Sequence, residues 1–319
     1  MPPFPEQEGG LVLSATINRY AYGALAPRAD DDIHVESVDY GLKVAYEAGN
    51  ALTFDGKLDL VKGAIRKLGR PDAKGYDLFL HSNAPPGSGL GASSAVMVAL
   101  IGLLKEYHQM PLDDYEVAQL AYSVEREDLG IRGGLQDQYA TAFGGFNFIE
   151  FESDHVVVNP LRMSPDVIHE LEHNMLLGYT GMTRASDRII EDQTSRLAHG
   201  ESKALEGLRM QKELAVEMKK ALLQRRLSDF GDLLGTAWRY KKQMSPRISN
   251  DLIDEAYDLA MKHGALGGKV TGAGGGGYML FFCPFEHKHR VADALIAAGI
   301  QVNEFEFTGA GLTTWTFRG

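Results

Sequence analysis

Residues 84–100 read APPGSGLGASSAVMVAL, with glycine at 87, 89 and 91 and then Ser93 and Ser94 leading into an apolar run. Glycine takes positive φ and lets other groups come close to the backbone, at an entropic cost inside regular structure. Three alternating glycines exceed what a tight turn requires. The preceding YDLFLHS (76–82) alternates like a strand, and Ala92 to Tyr107 carries apolar residues at helical spacing. The stretch therefore reads as strand, glycine turn and helix start. Unpaired N–H groups and the helix dipole make such a junction an anion site.

Two phosphate loops share parts of this pattern. The G-x-x-x-x-G-K-[ST] loop needs a lysine that is absent here. Gly87 to Ala92 does satisfy G-x-G-x-x-A. The dinucleotide fold, however, also needs a second strand ending in an acidic residue about 20 positions on. HQMPLDD (108–114) leads instead into another helix.

The chain has 319 residues, 44% hydrophobic and 24% charged, which is a globular composition with room for two cores. A net charge of −11 and the lack of a basic face argue against a nucleic-acid partner. No apolar run is long enough for a membrane helix, and MPPFPEQEGG (1–10) has no signal-peptide pattern. The expectation is a cytoplasmic protein with no membrane partner. Cys283 is the only cysteine and ends the run YMLFFC, so it reads as buried and inert.

Strands are expected over Leu11–Tyr22, Ile33–Val38 and FNFIEF (146–151), and helices over Asp59–Leu68 and Asp113–Asp128. Beyond NMLLGYT (174–180), helical stretches fall around Ile189, 205–223, 227–240 and 249–263. GKVTGAGGGGYMLFF (268–282) reads as strand, glycine loop and strand. A helix over 287–298 and strands over 302–307 and 312–317 close the chain, with Gly309-Ala310-Gly311 as their hairpin. The class is α+β, divided near residue 160 into 1–160 and 161–319. His169-Glu170-Leu171-Glu172-His173 satisfies H-E-x-x-H, but a third zinc ligand is not evident, so it reads as a polar helix end.

The full glycine string resembles the P-x-G-x-G-L-G/S-S-S signature of the GHMP kinase superfamily. EREDLG (125–130) followed by GGLQDQ (133–138), and KVTGAGGGGYML (269–280), are similar to its other motifs and stand in the family's order. TINRYAY, GYTGMTRAS and WRYKKQMSPRIS resemble the members that act on a heptose 7-phosphate. The resemblance implies an N-terminal domain like ribosomal protein S5 domain 2 and a ferredoxin-like C-terminal domain. It implies ATP and Mg²⁺, with a phosphosugar phosphorylated at its anomeric hydroxyl. The alternatives are a galactose- or fucose-type kinase and a non-catalytic sensor on the same fold. Oligomeric state is not legible in the sequence; a homodimer stands as an expectation.

Carried over residue by residue, Pro86, Gly87, Ser88, Gly89, Leu90, Gly91, Ala92, Ser93 and Ser94 would bind ATP. Ser93 and Glu125 would hold Mg²⁺, and Asp137 would take the proton of the sugar hydroxyl. Gly133, Gly134, Gly274 and Gly275 would lie beside the sugar. Thr183, Arg184, Lys241 and Lys242 are candidates for its phosphate, the cations by charge and Arg184 by its guanidinium fork. Members of the family also carry a strand ending in Gly-Gly-Gly-Thr-Asp ahead of the Pro-Pro-Phe found here at 2–4. Without it, the N-terminal sheet is expected to show an open edge.

Overall fold

The computed structural model of the chain describes residues 8–47, 52–70, 73–182 and 186–317. In the N-terminal half, β2 (Ala21–Pro27), β3 (Ile33–Ser37), β4 (Leu42–Tyr46) and β5 (Tyr76–Ser82) form a sheet in the order β2-β5-β3-β4. β3 and β5 run parallel, and the other pairs are antiparallel. Helices α1 (Asp59–Leu68), α2 (Ala92–Tyr107), α3 (Asp114–Tyr122) and α4 (Gln136–Phe143) belong to the same half. α2 is apolar over most of its circumference because it is central: Met97, Leu100, Ile101 and Leu104 are buried against Leu78, Val117, Val124 and Ile149. β1 (Gly10–Ala15) and β2 each lie at the edge of a sheet among the described residues.

β1 pairs with β6 (Phe146–Phe151), and β6 with β7 (Val156–Pro160), in a second sheet. The expected strand Leu11–Tyr22 is thus interrupted between β1 and β2, and its two parts join different sheets. The expected helix Asp113–Asp128 is also divided. Asp113 and Glu116 build a reciprocal capping box that starts α3. At Tyr122 the helix gives way to a π-helical segment, Ser123–Asp128.

The C-terminal half holds α5 (Pro165–Asn174), β8 (Met175–Tyr179), α6 (Ser186–Ala198), α7 (Ser202–Leu223), α8 (Leu227–Gln243) and α9 (Asp251–Lys262). β9 (Gly267–Val270), β10 (Tyr278–Phe282), α10 (Phe285–Ala297) and β11 (Gln301–Asn303) follow. Its sheet runs β11-β8-β10-β9, antiparallel throughout, which is the ferredoxin-like order that the resemblance implies. Trp238, Ile248, Val270 and Phe281 fill the core beneath it. Cys283 is buried there and its thiol is pushed up to about 12 by burial, so it stays an inert core residue.

The strands expected over 302–307 and 312–317 form only as the short β11. Beyond Asn303 the chain crosses back to the N-terminal half. Phe307 bridges to Ile17 and packs on Phe146 at 4.6 Å, Thr308 N–H donates to the Thr16 carbonyl at 2.9 Å, and Leu312 N–H to that of Ala142 at 3.0 Å. The alternating Phe305 and Phe307 enter the apolar layer between the halves, so their pattern records packing rather than sheet pairing. Gly309-Ala310-Gly311 is therefore no hairpin. A Cβ on Gly144 would fall 2.1 Å from the Gly311 nitrogen, and the paired glycines let two backbones cross. His169 hydrogen-bonds to Glu172 at 3.1 Å and His173 stacks on Phe285, while Glu172 also accepts the Phe307 N–H at 2.7 Å. The H-E-x-x-H stretch is a polar helix end that fastens the crossing segment. No helix among the described residues is long and apolar enough to cross a membrane.

Candidate active site

Between the halves lies a cleft of about 1800 Å³, lined from one side by Gly87 to Ser94 and from the other by Lys241, Lys269 and Thr271 to Ala273. β5 delivers the glycine loop, where Gly87, Gly89 and Gly91 have φ of 72°, 80° and 75°. That left-handed backbone turns the loop into the start of α2 with no side-chain cap, leaving the first N–H groups for an anion. Pro86 lies outside the cleft wall.

The second glycine loop, 271–277, is the backing of the first. Tyr278 N–H donates to the Ser88 carbonyl at 3.0 Å, and a Cβ on Gly277 would sit 2.3 Å from that same oxygen. Thr271, Gly272 and Ala273 reach the cleft, whereas Gly275 N–H binds the Ile248 carbonyl at 2.8 Å and Gly274 packs on Ile248. Gly274 and Gly275 therefore stand one step behind the wall that the sequence assigned to them.

Glu125 sits on the π segment and is fully buried. Ser93 Oγ donates to its Oε1 at 2.8 Å, Ser94 Oγ to its Oε2 at 2.9 Å, and Gln138 Nε2 also to Oε2. Arg126 approaches to 4.0 Å. Single π turns are frequent at functional sites because the extra residue re-aims a side chain. The pairing of Ser93 with Glu125 fits Mg²⁺: neighbouring ligands of an octahedral ion with bonds of 2.0–2.1 Å lie about 2.9 Å apart. Both donors are the hard oxygens that this ion takes.

Asp137 opens α4 and faces the glycine loop, so that a Cβ on Gly91 would lie 3.6 Å from its Cγ. Burial pushes its carboxyl above the usual range, while the Gln136 hydrogen bond and the charges of Arg126 and Lys241 pull it back. Arg126 reaches past the GGLQDQ loop to the carbonyls of Ile131 and Gly134 at 3.3 and 3.4 Å. Gly133 is what allows this, since a Cβ there would meet the guanidinium at 2.5 Å. Gly134 is open.

Lys241, in the last turn of α8, donates to the carbonyls of Gly272 and, at 3.4 Å, Val270. Burial pushes its amine down to about 7, with the charge of Lys269 adding to the fall. Lys242 leaves the cleft, pairs with Asp254 at 3.0 Å and lies over the Trp238 ring. Adjacent helical residues differ by about 100° in direction, so only one of the two lysines can face inward. Thr183 and Arg184 lie outside the described residues. Sequence reasoning missed Arg126, Gln138 and Lys269. The signals were a lysine in an otherwise apolar edge strand and a polar residue directly after the proposed base.

A glycine loop at a helix start, a buried pair of hard-oxygen donors and the Asp137 carboxyl share one cleft between the two halves, the parts that phosphoryl transfer to a small molecule uses. The comparisons with known proteins specify which kind. Residues 59–145 match the GHMP kinases N terminal domain and residues 218–301 the GHMP kinases C terminal domain. The D-glycero-alpha-D-manno-heptose 7-phosphate kinase of Campylobacter jejuni is 41% identical over 310 residues, covering 96% of this chain and 91% of that one. The crystal structure of a D-glycero-D-manno-heptose 1-phosphate kinase from Bacteroides thetaiotaomicron superposes with a TM-score of 0.83 at 35% identity, over 100% of this chain and 94% of that one. That of a putative sugar kinase from Campylobacter jejuni gives 0.79 at 40% identity, over 96% and 90%. The chain belongs to the GHMP kinase family and is a phosphotransferase with an alcohol group as acceptor.

Proposed function

We propose that this kinase uses ATP and Mg²⁺ to phosphorylate the anomeric hydroxyl of D-glycero-D-manno-heptose 7-phosphate, giving the 1,7-bisphosphate. The product would feed nucleotide-activated heptose for bacterial surface polysaccharide in the cytoplasm. The reading takes 1–160 as the N-terminal domain, with the ATP phosphate loop and Asp137, and 161–319 as the C-terminal domain. One observation carries the site assignment: Asp137 faces Gly91 at the mouth of the glycine cradle, beside the Ser93–Glu125 pair. The choice of sugar is supported by the 41% identity to the Campylobacter enzyme.

In this mechanism the N–H groups of Gly87 to Ala92 hold the ATP phosphates. Ser93 and Glu125 would hold Mg²⁺, which when bound neutralises charge on the phosphate oxygens. Asp137 orients the acceptor hydroxyl and takes its proton as the oxygen–phosphorus bond forms and the bond to the ADP oxygen breaks. Ser94 and Gln138 hold Glu125 by its other oxygen. Thr183, Arg184 and Lys241 remain the proposed contacts of the sugar's own phosphate.

A coupled ADP-release assay over a panel of sugars tests this reading. The panel contains heptose 7-phosphate, heptose 1-phosphate, unphosphorylated heptose, galactose and fucose. The expected preference is for the 7-phosphate; equal use of the unphosphorylated heptose overturns it, and use of galactose or fucose instead moves the assignment there.

A further inference from the structure

Lys269 is a charge without a visible purpose. It lies on β9, an edge strand, where Gly268 and Val270 on either side are buried and Lys269 faces the opposite way, into the cleft. No hydrogen-bond or ion-pair partner for its ammonium is present among the described residues. Lys241 arrives from α8 and rests on the carbonyls of Val270 and Gly272, the residues where β9 ends. Gly272 in turn packs on Gly89, with its Cβ position 2.9 Å from the Gly89 Cα, so Lys241 is fixed beside the cradle. Two lysines thus line the same cleft, one on β9 and the other bonded to the carbonyls at the end of that strand.

Such a pair is costly to the empty protein. Each lysine loses water, each repels the other, and no described carboxylate comes within ion-pair distance of either. A dianion removes both costs at once. Lys241 spends its bonds on two backbone carbonyls, and Lys269 keeps its donors free, so together they offer several N–H groups to one small anion.

We propose that Lys241 and Lys269 form a phosphate-binding pair that closes the cleft opposite Asp137 from the C-terminal half. Two phosphates reach this place: the terminal phosphate of ATP and the acceptor's own phosphate. The second rests on the heptose phosphate reading above, the first only on kinase activity.

The test uses the full chain with Lys269→Met and Lys241→Met, which keep an unbranched side chain one atom shorter and remove the charge, and Lys269→Arg, which keeps it. Circular dichroism and thermal melting verify folding. Calorimetry measures binding of Mg²⁺-AMP-PNP and Mg²⁺-ADP, and steady-state kinetics compare phosphorylated with unphosphorylated heptose. Loss of a charged hydrogen bond is expected to weaken one phosphate by roughly tenfold or more. A tenfold rise in KM for the phosphorylated sugar alone assigns the pair to the acceptor. A tenfold loss of AMP-PNP affinity, with ADP unchanged, assigns it to the terminal phosphate. Lys269→Arg is expected to restore most of either loss. Both affinities within twofold of wild type in both methionine variants overturn the proposal, as does an equal loss for ADP and the unphosphorylated sugar. If the wild type turns over no heptose phosphate, the substrate reading fails, while the comparison of AMP-PNP with ADP still decides on the lysine pair.

Discussion

Glu125→Gln separates metal binding from folding. The carboxylate is fully buried and has one face toward Ser93 and the other toward Ser94 and Gln138. A glutamine that keeps its oxygen toward Ser93 turns its NH₂ toward the Gln138 amide, which is donating there. Gln138 can answer by flipping, because its Oε1 is buried without a partner and would then accept the new N–H. The fold therefore tolerates the change, and melting is expected within a few degrees of wild type, about the effect of 1 kcal/mol. The proposed metal site should not tolerate it, since a charged hard ligand would become a neutral one. Taking the roughly 1.5–3 kcal/mol of a charged contact as the scale, half-saturation by Mg²⁺ should rise about 10- to 100-fold. The assay is the initial rate against free Mg²⁺ at saturating ATP, beside a melting curve. A Mg²⁺ titration that superposes on wild type refutes metal ligation by Glu125. A collapse in melting temperature refutes the flip.

Asp137→Asn should lower kcat roughly 10²- to 10⁴-fold, with AMP-PNP affinity by calorimetry unchanged; turnover within threefold of wild type rules out its role as proton acceptor. Gly277→Ala places a Cβ 2.3 Å from the Ser88 carbonyl at a φ of +85°, so about 1–2 kcal/mol of backbone strain adds to a clash that displaces the cradle. Both the melting temperature and ATP affinity should fall, and an unchanged melt removes the argument. Lys241, with its amine near 7, should take up close to one proton when a phosphate ligand binds at pH 8; calorimetry in buffers of differing ionisation enthalpy measures it, and Lys241→Met should abolish it. Because its folded value lies below the ordinary 10.5, its charge destabilises the fold fully below pH 7, and that penalty fades as pH rises toward 10.5. Lys241→Met should therefore raise the melting temperature more at pH 6.5 than at pH 10. Lys242→Ala should leave the acceptor KM within twofold, since its exposed pair with Asp254 is worth at most about 1 kcal/mol and lies away from the cleft.

Much of the candidate site was legible because it is built from short contiguous stretches. The glycine loop, Ser93, Glu125 and Asp137 each sit in a local pattern whose backbone demands are written in its own residues. Lys241 and Lys242 show where that stops. They are chemically identical and adjacent, and only the docking of α8 on β9 decides that one meets the Gly272 carbonyl in the cleft and the other Asp254. Gln138 carries no signal of its own in the sequence, and only the π segment brings Glu125 against it.

By itself the sequence determined the α+β class and the strand–glycine loop–helix junction, and it singled out the candidate residues Ser93, Glu125 and Asp137. These follow from periodicity, from the φ that only glycine takes readily, and from functional-group chemistry, all of which act within a few residues. Only the tertiary structure decided that the 271–277 loop backs the cradle, that the C-terminal segment crosses between the halves instead of forming a hairpin, and that Lys269 meets Lys241. Those are contacts between residues far apart in the chain, set by which surfaces bury together, and no local pattern encodes the partner.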